Sequence, residues 1–195
     1  MNEKPVLYIV MGPSGAGKSY YGEEYVPKHI KIFDGDKEAF RIHMEEGFHL
    51  PGAYDRMNEL LEKKANIALM QERDFAIESP IGAPNAVKKF WNKGYNIMCV
   101  FFGLNSLDDS IFRIQQRIEG NGNLVTPGDA KQNFEKSFKN VVEMKSFFDE
   151  IKFVSGSNIE RASLLEAIFY NDKFELFNEN CEWAKKLSIK FNENP

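Results

Sequence analysis

The hydrophobic pattern changes period several times along the chain. Val6 to Met11 is a short apolar run and reads as a buried strand. After a glycine-rich break, Lys18 to Tyr25 reads as a helix that Pro27 ends, and Ile30 to Phe33 as a second strand. That strand closes on Asp34-Gly35-Asp36, and Lys37 to Glu46 follows as a helix stopped at Gly47. Pro51-Gly52 marks a loop, beyond which Tyr54, Met57, Leu61, Ala65 and Ala68 recur at helical spacing in one long helix reaching toward Arg73. Phe75-Ala76-Ile77 is a third strand ending in Glu78-Ser79-Pro80, and Asn85 to Asn92 is a short helix closed by Gly94. Tyr95 to Phe102 shows little alternation, which suits a central parallel strand covered on both faces.

Ser106 to Glu119 reads as a helix carrying Ile111, Ile114 and Ile118 on one side, and Gly120-Asn121-Gly122-Asn123 breaks it. From there to Thr126-Pro127-Gly128 the glycines predict a mobile loop. A helix from Asp129 toward Asp149 follows, with Ala130, Phe134, Phe138, Val141, Met144 and Phe148 as its apolar stripe. Ile151 to Val154 is the fifth strand and Ser155-Gly156-Ser157-Asn158 its turn. The remainder predicts two helices, Ile159 to Tyr170 and Phe177 to Phe191, the second striped by Phe177, Cys181, Ala184 and Leu187. Strands alternating with helices, without repeats or a linker, predict one α/β domain over residues 1–195: a mostly parallel five-stranded sheet flanked by helices.

Composition narrows the partners. Hydrophobic residues make up 43% and charged residues 28%, as in ordinary globular domains, and the net charge of −4 is spread without a basic face, so no nucleic-acid partner is expected. No apolar run approaches the roughly 18 residues of a membrane span, and the start runs into the first strand without a signal peptide. A cytoplasmic protein is expected. Cys99 and Cys181 have no partners at ligand spacing and read as packed thiols, and His29, His43 and His49 show no metal spacing. The 17 phenylalanines belong mostly to the core stripes.

The glycine-rich break carries the chemistry. Gly12-Pro13-Ser14-Gly15-Ala16-Gly17-Lys18-Ser19 fits the pattern Gly, four free positions, Gly-Lys-Ser/Thr, and it lies between a predicted strand and a predicted helix, the context that pattern requires. Glycines let consecutive N–H groups turn into one concavity, and the positive end of the following helix faces the same hollow. An anion fits there. The eight residues are therefore expected to hold a nucleotide's phosphates, with Lys18 as a mobile charge on the β and γ oxygens and Ser19 as a hydroxyl ligand for Mg²⁺. No Asn-Lys-x-Asp guanine signature accompanies it, since Asn92-Lys93-Gly94-Tyr95 lacks the acid, and ATP is the expected nucleotide.

Three further groups are candidates for the reaction. Asp34 and Asp36 close the second strand, where a carboxylate can take a proton from an acceptor hydroxyl; either acid can instead cap the next helix. Glu78 and Ser79 close the third strand, where a carboxylate can orient magnesium-bound water or grip the acceptor. Arg113 and Arg117, with Lys131 and Lys136 beyond the glycine break, can swing over phosphates and offset transition-state charge, or lie on a solvated helix face. These parts point to phosphoryl transfer onto a small molecule. An ATPase or ATP-dependent switch that works with a partner protein is the alternative.

The order of these parts resembles the zeta-toxin-like small P-loop kinases. The resemblance rests on Gly12 to Ser19, Phe33-Asp34-Gly35-Asp36 with Phe40, Ala76-Ile77-Glu78-Ser79, Gly94-Tyr95, Arg113-Ile114-Gln115-Gln116-Arg117, and Asn133-Phe134-Glu135-Lys136-Ser137-Phe138-Lys139-Asn140. It spans residues 5 to 160, and only the P-loop is specific by itself. It implies a kinase-like fold with a mobile lid over about residues 113–136 and an ATP:alcohol phosphotransferase using Asp36 as base, its acceptor a small-molecule hydroxyl such as that of UDP-N-acetylglucosamine, with an antitoxin as a partner. Other metabolite, sugar and nucleoside kinases share the same parts. The chain departs from the family at Asn121 to Pro127, where a Gly-Gly-His segment is usual, and at Asn133, near which the family places an arginine; Lys131 and Lys136 are poorer bidentate clamps.

Overall fold

In the computed structural model, which describes residues 4–118, 125–156 and 163–193 and no side chain for residues 117 and 118, the most apolar stretch is the inner strand the sequence predicts. This is β4 (Asn96–Gly103), lying parallel between β1 (Val6–Met11) and β5 (Glu150–Ser155). On the other side β1 pairs in parallel with β3 (Phe75–Ser79), and β3 with β2 (Ile32–Asp34). Beyond β5 the sheet continues antiparallel through β6 (Leu164–Tyr170) and β7 (Lys173–Leu176), giving seven strands in the order β2-β3-β1-β4-β5-β6-β7.

Alternation along β1 divides the core. Leu7, Ile9 and Met11 face the larger half, under α3 (Leu50–Met70), α4 (Pro84–Trp91), α6 (Pro127–Glu143) and α7 (Glu182–Asn192). Val10 faces a smaller cluster with Ala16, Tyr21, Val26 and Phe102, on the side of α1 (Lys18–Tyr21). The phenylalanines behave as the stripes predict: Phe101, Phe138 and Phe153 gather on Trp183, with Phe174 and Phe191 beside Phe153. Aromatic pairs in these tilted and edge-on geometries add packing beyond area burial alone.

The sequence-based expectation fails mainly at the C-terminal end. Residues 164–170, expected as part of the helix Ile159 to Tyr170, form β6, so among the described residues the sheet has seven strands rather than five and one C-terminal helix follows rather than two; residues 159–162 lie outside the described residues. The cause is a two-residue hairpin turn: Asn171 and Asp172 both have positive φ (51° and 58°), the conformation of a type I′ turn, whose twist matches that of the flanking strands. Phe177, expected on a helical stripe, is exposed outside α7, and Cys181 is the residue that precedes it.

Two predicted loops are helix starts instead. Pro51-Gly52 lies in the first turn of α3, where proline's missing N–H costs no hydrogen bond. Pro127-Gly128 begins α6, with the Asp129 amide donating to the Thr126 hydroxyl (3.1 Å) and that hydroxyl donating to the Asp129 carboxylate (2.7 Å). Of the expected lid, residues 113–118 belong to α5 (Leu107–Ile118) and residues 127–136 to α6, while residues 119–124 lie outside the described residues. Among the described residues no helix is long and apolar enough to cross a membrane.

Candidate functional site

All five parallel strands end on the same edge, and the order reverses at β1: the chain passes from β1 outward to β2, and from β3 back across β1 to β4. Open α/β sheets bind ligands in the crevice at such a switch point. Gly12 to Ser19 fills it. Gly12 has φ 137° and lies so close to β4 that a Cβ there would stand 2.1 Å from the Phe102 carbonyl oxygen, which excludes any side chain. Gly15 and Gly17 also have positive φ, and Gly17 stands at the N-cap of α1.

Three elements hold the loop from outside. The Ser110 hydroxyl of α5 donates to the Ser14 carbonyl (2.7 Å), and the Asn133 amide of α6 donates to the Ser14 hydroxyl (3.0 Å). Gly156, directly after β5, presses on it, since a Cβ there would lie 1.6 Å from the Ala16 carbonyl oxygen. Arg113 donates to the Gly156 carbonyl, so this candidate cation is tied to the residue that supports the loop. The side chain of Arg117 lies outside the described residues, and Lys131 and Lys136 are exposed.

The charged groups meet where β2 and β3 end. Asp34 and Glu78 are partners in the parallel register, which sets the two acids side by side. Ser19 joins them, its hydroxyl donating to Glu78 at 2.6 Å and lying 3.4 Å from the second oxygen of Asp34. Lys18 is buried, and its ammonium donates to the Gly12 and Pro13 carbonyls, each at 2.9 Å. Burial pushes the Glu78 carboxyl above its usual range, and Asp34 and Asp36 push the same way; the Lys18 charge and the Ser19 hydrogen bond pull it back.

Of the two acids on the second strand's end, Asp34 is the one that caps a helix. It accepts from the Lys37 amide (3.0 Å) at the start of α2 (Gly35–Glu46). Asp36 stands in the first turn of α2, and burial first, then the Asp36 charge, push the phenol of Tyr54 on α3 up to about 12. Ser79 ends β3 with Met11 as its register partner, half-buried, and the following loop is pinned by the Asn140 amide of α6 donating to the Ile81 carbonyl (2.9 Å).

Sequence reasoning placed Tyr54 only on a core stripe; its polar tip at the start of a helix beside an acid-bearing turn was the available signal. Gly156 was read as a mere turn residue, and nothing in the sequence marks its contact with Ala16. Burial raises both thiols, Cys181 to about 11 and Cys99 further, in keeping with the packed, unpaired residues expected.

The donor set at this edge is hard oxygen: one hydroxyl and neighbouring carboxylates, with an ammonium alongside. That suits magnesium, and a P-loop magnesium takes most of its ligands from phosphate oxygens and water. Among the described residues no group of three or more His, Cys, Asp or Glu is placed to hold a metal.

Compared by sequence, the chain matches no family model and no curated protein. Compared by structure, it resembles a chain of the AvrRxo1-ORF1:AvrRxo1-ORF2 complex (TM-score 0.69, 12% identity), covering 95% of this chain and 64% of that one. It also resembles the PezAT chromosomal toxin–antitoxin system of Streptococcus pneumoniae (0.57, 17% identity, covering 84% and 71%). A third likeness is to a putative kinase from Chloroflexus aurantiacus (0.54, 15% identity, covering 69% and 80%). At these identities the shared property is the fold, and it is the fold that the zeta-toxin-like resemblance implied. The chain spans 64% of the AvrRxo1 chain it matches.

Proposed function

We propose that this protein transfers the γ-phosphoryl group of ATP to a hydroxyl of a small molecule. The observation that carries the reading is the junction of Ser19 with Glu78, beside Asp34, at the topological switch point. A glycine-rich turn that bound nothing would have no use for a buried lysine, a hydroxyl and facing carboxylates on one edge. The kinase-like folds of the similar structures support the same reading, and one of them contains ATP.

The P-loop amides would bind the phosphates, and Lys18 would exchange the Gly12 and Pro13 carbonyls for phosphoryl oxygens. Ser19, with Glu78 through water, would hold magnesium, which offsets the phosphates' charge when bound. Asp36 takes the proton of the acceptor hydroxyl as that oxygen forms its bond to the γ-phosphorus and the bond to the bridging oxygen breaks, leaving ADP. Asp34 and Ser79 would line the acceptor side. Arg117 would supply positive charge during transfer, and Arg113 would act mainly by fixing Gly156.

The sequence resemblance points to a nucleotide sugar such as UDP-N-acetylglucosamine as the acceptor and to an antitoxin as a partner, and we take the protein to be cytoplasmic. Unpaired buried thiols suit a reducing compartment. The similar PezAT and AvrRxo1 structures, each named with a partner, support the partner reading. Growth arrest on overexpression, absent in Lys18→Ala, is the expected result; no arrest would remove the need for a restraining partner.

Incubation with γ-labelled ATP and a panel of nucleotide sugars, sugars, nucleosides and other metabolites tests the main reading. Label on an acceptor, lost in Lys18→Ala, is expected. Release of inorganic phosphate alone would make the protein an ATPase or switch.

A further inference from the structure

We infer that Asn133 is a positioning residue for the γ-phosphate: its side-chain amide, donating to the Ser14 hydroxyl across 3.0 Å, occupies that oxygen and leaves the hydroxyl's own proton for a γ-phosphate oxygen. The inference rests on the nucleotide-binding half of the proposed function and adds to it two side chains beyond Lys18 and Ser19. Ser14 stands third in the P-loop and is 6% exposed. Its carbonyl accepts from Ser110 of α5 at 2.7 Å, so one helix holds the residue by its backbone and another by its side chain. A serine hydroxyl has one proton and two lone pairs. Asn133 takes a lone pair, and the proton remains to be given to a ligand.

Place in the loop decides which phosphate receives it. The Lys18 ammonium, the charge a P-loop sets on the β and γ oxygens, donates to the carbonyls of Gly12 and Pro13, the two residues before Ser14. Ser14 therefore stands where the outer phosphates lie. Asn133 reaches this point from a helix fixed along its length. Ala130 and Ser137, three residues before it and four after, are buried, so this face of α6 looks inward. Asn140, two turns further along the same face, donates to the Ile81 carbonyl at 2.9 Å, and the adjoining Pro80 carbonyl accepts from the Gly12 amide at 3.3 Å. One face of α6 thus holds the middle of the P-loop and also the loop after β3 that meets its first residue. An amide carries no charge to offset the phosphates, so what Asn133 contributes is a hydroxyl held in place before the ligand arrives, which loses less freedom on binding.

Calorimetric titration of the full chain with Mg²⁺ and either ADP or the non-hydrolysable imido analogue of ATP tests this. Ser14→Ala and Asn133→Ala are each expected to weaken the ATP analogue about tenfold, the worth of one hydrogen bond to a charged group, and to leave ADP within about twofold of wild type. The double variant should lose no more than about twofold beyond the weaker-binding single one, because the same bond is removed twice. Asn133→Asp keeps the size but takes the Ser14 proton for itself and sets a negative charge beside the phosphates, so it should disfavour the ATP analogue more than Asn133→Ala does. An Asn133→Ala protein that binds the ATP analogue as well as wild type, or loses ADP by the same factor, overturns the γ-phosphate role. Losses that multiply in the double variant overturn the pairing of Asn133 with Ser14. A wild-type protein that binds neither nucleotide overturns the proposed function together with the inference. The titration needs no acceptor, so a failure to phosphorylate one overturns the transfer reading alone.

Discussion

The Ser19 hydroxyl donates to Glu78 across 2.6 Å, tying the first turn after the P-loop to the end of β3 fifty-nine residues away in sequence. The bond joins a prospective metal ligand to an acid held in an unfavourable place. Glu78 is 8% exposed, and burial raises its carboxyl above the usual range.

Glu78→Gln is therefore expected to separate stability from function. In the window between the ordinary carboxylate value and the raised one, the folded protein keeps a proton that the unfolded chain has released. Stability falls as pH rises through that window. The variant should melt higher than wild type at neutral pH, and the difference should vanish below about pH 4, where both states are protonated. Affinity for Mg·ATP should fall about tenfold, the scale of one hydrogen bond to a charged group. Calorimetric melting and nucleotide titration check the two halves.

Gly156→Ala probes the support of the P-loop from β5. The new methyl would overlap the Ala16 carbonyl oxygen, which is backbone and cannot step aside cheaply. A loss of about 1–3 kcal/mol in stability is expected, with ATP binding weakened more than by Gly128→Ala, where a Cβ meets only the Thr126 hydroxyl at 3.7 Å. Chemical denaturation and ATP titration of the two variants make the comparison.

Arg117→Ala is expected to slow transfer by roughly a thousandfold if the guanidinium supplies transition-state charge. Single-turnover kinetics measure it, and a loss below about threefold would return Arg117 to a solvated helix face.

Much of this fold and site was legible because local rules and tertiary demands agree. Val6 to Met11, Gly12 to Ser19 and Tyr95 to Phe102 each read the same way by pattern, turn chemistry and packing, and each falls within a residue or two of its observed place. Residues 164–170 were misread because short apolar runs carry either period, and the Asn171-Asp172 turn is a weaker hairpin signal than Asn-Gly. Thr126-Pro127 was misread because a capped helix start and a loop share residue types. The Asn133 contact with Ser14 and the Gly156 contact with Ala16 join distant segments, and no local pattern encodes them.

Asp34 and Asp36 should part company under mutation. Asp34→Ala removes the cap of α2 and is expected to cost about 1 kcal/mol, or roughly 2–4 °C in Tm for a domain of this size. Asp34→Asn keeps a capping oxygen and should melt close to wild type. Thermal unfolding distinguishes them.

The central claim is that the edge beside the P-loop performs acceptor phosphorylation with Asp36 as base, and Asp36→Asn tests it most directly. The helix cap belongs to Asp34, so the substitution leaves the start of α2 intact and removes basicity at one position. Measured side by side, ATP affinity should stay near wild type while phosphate transfer to the acceptor falls about a hundredfold or more, the low end of what a general base contributes. Full acceptor phosphorylation by the Asp36→Asn protein would contradict the account.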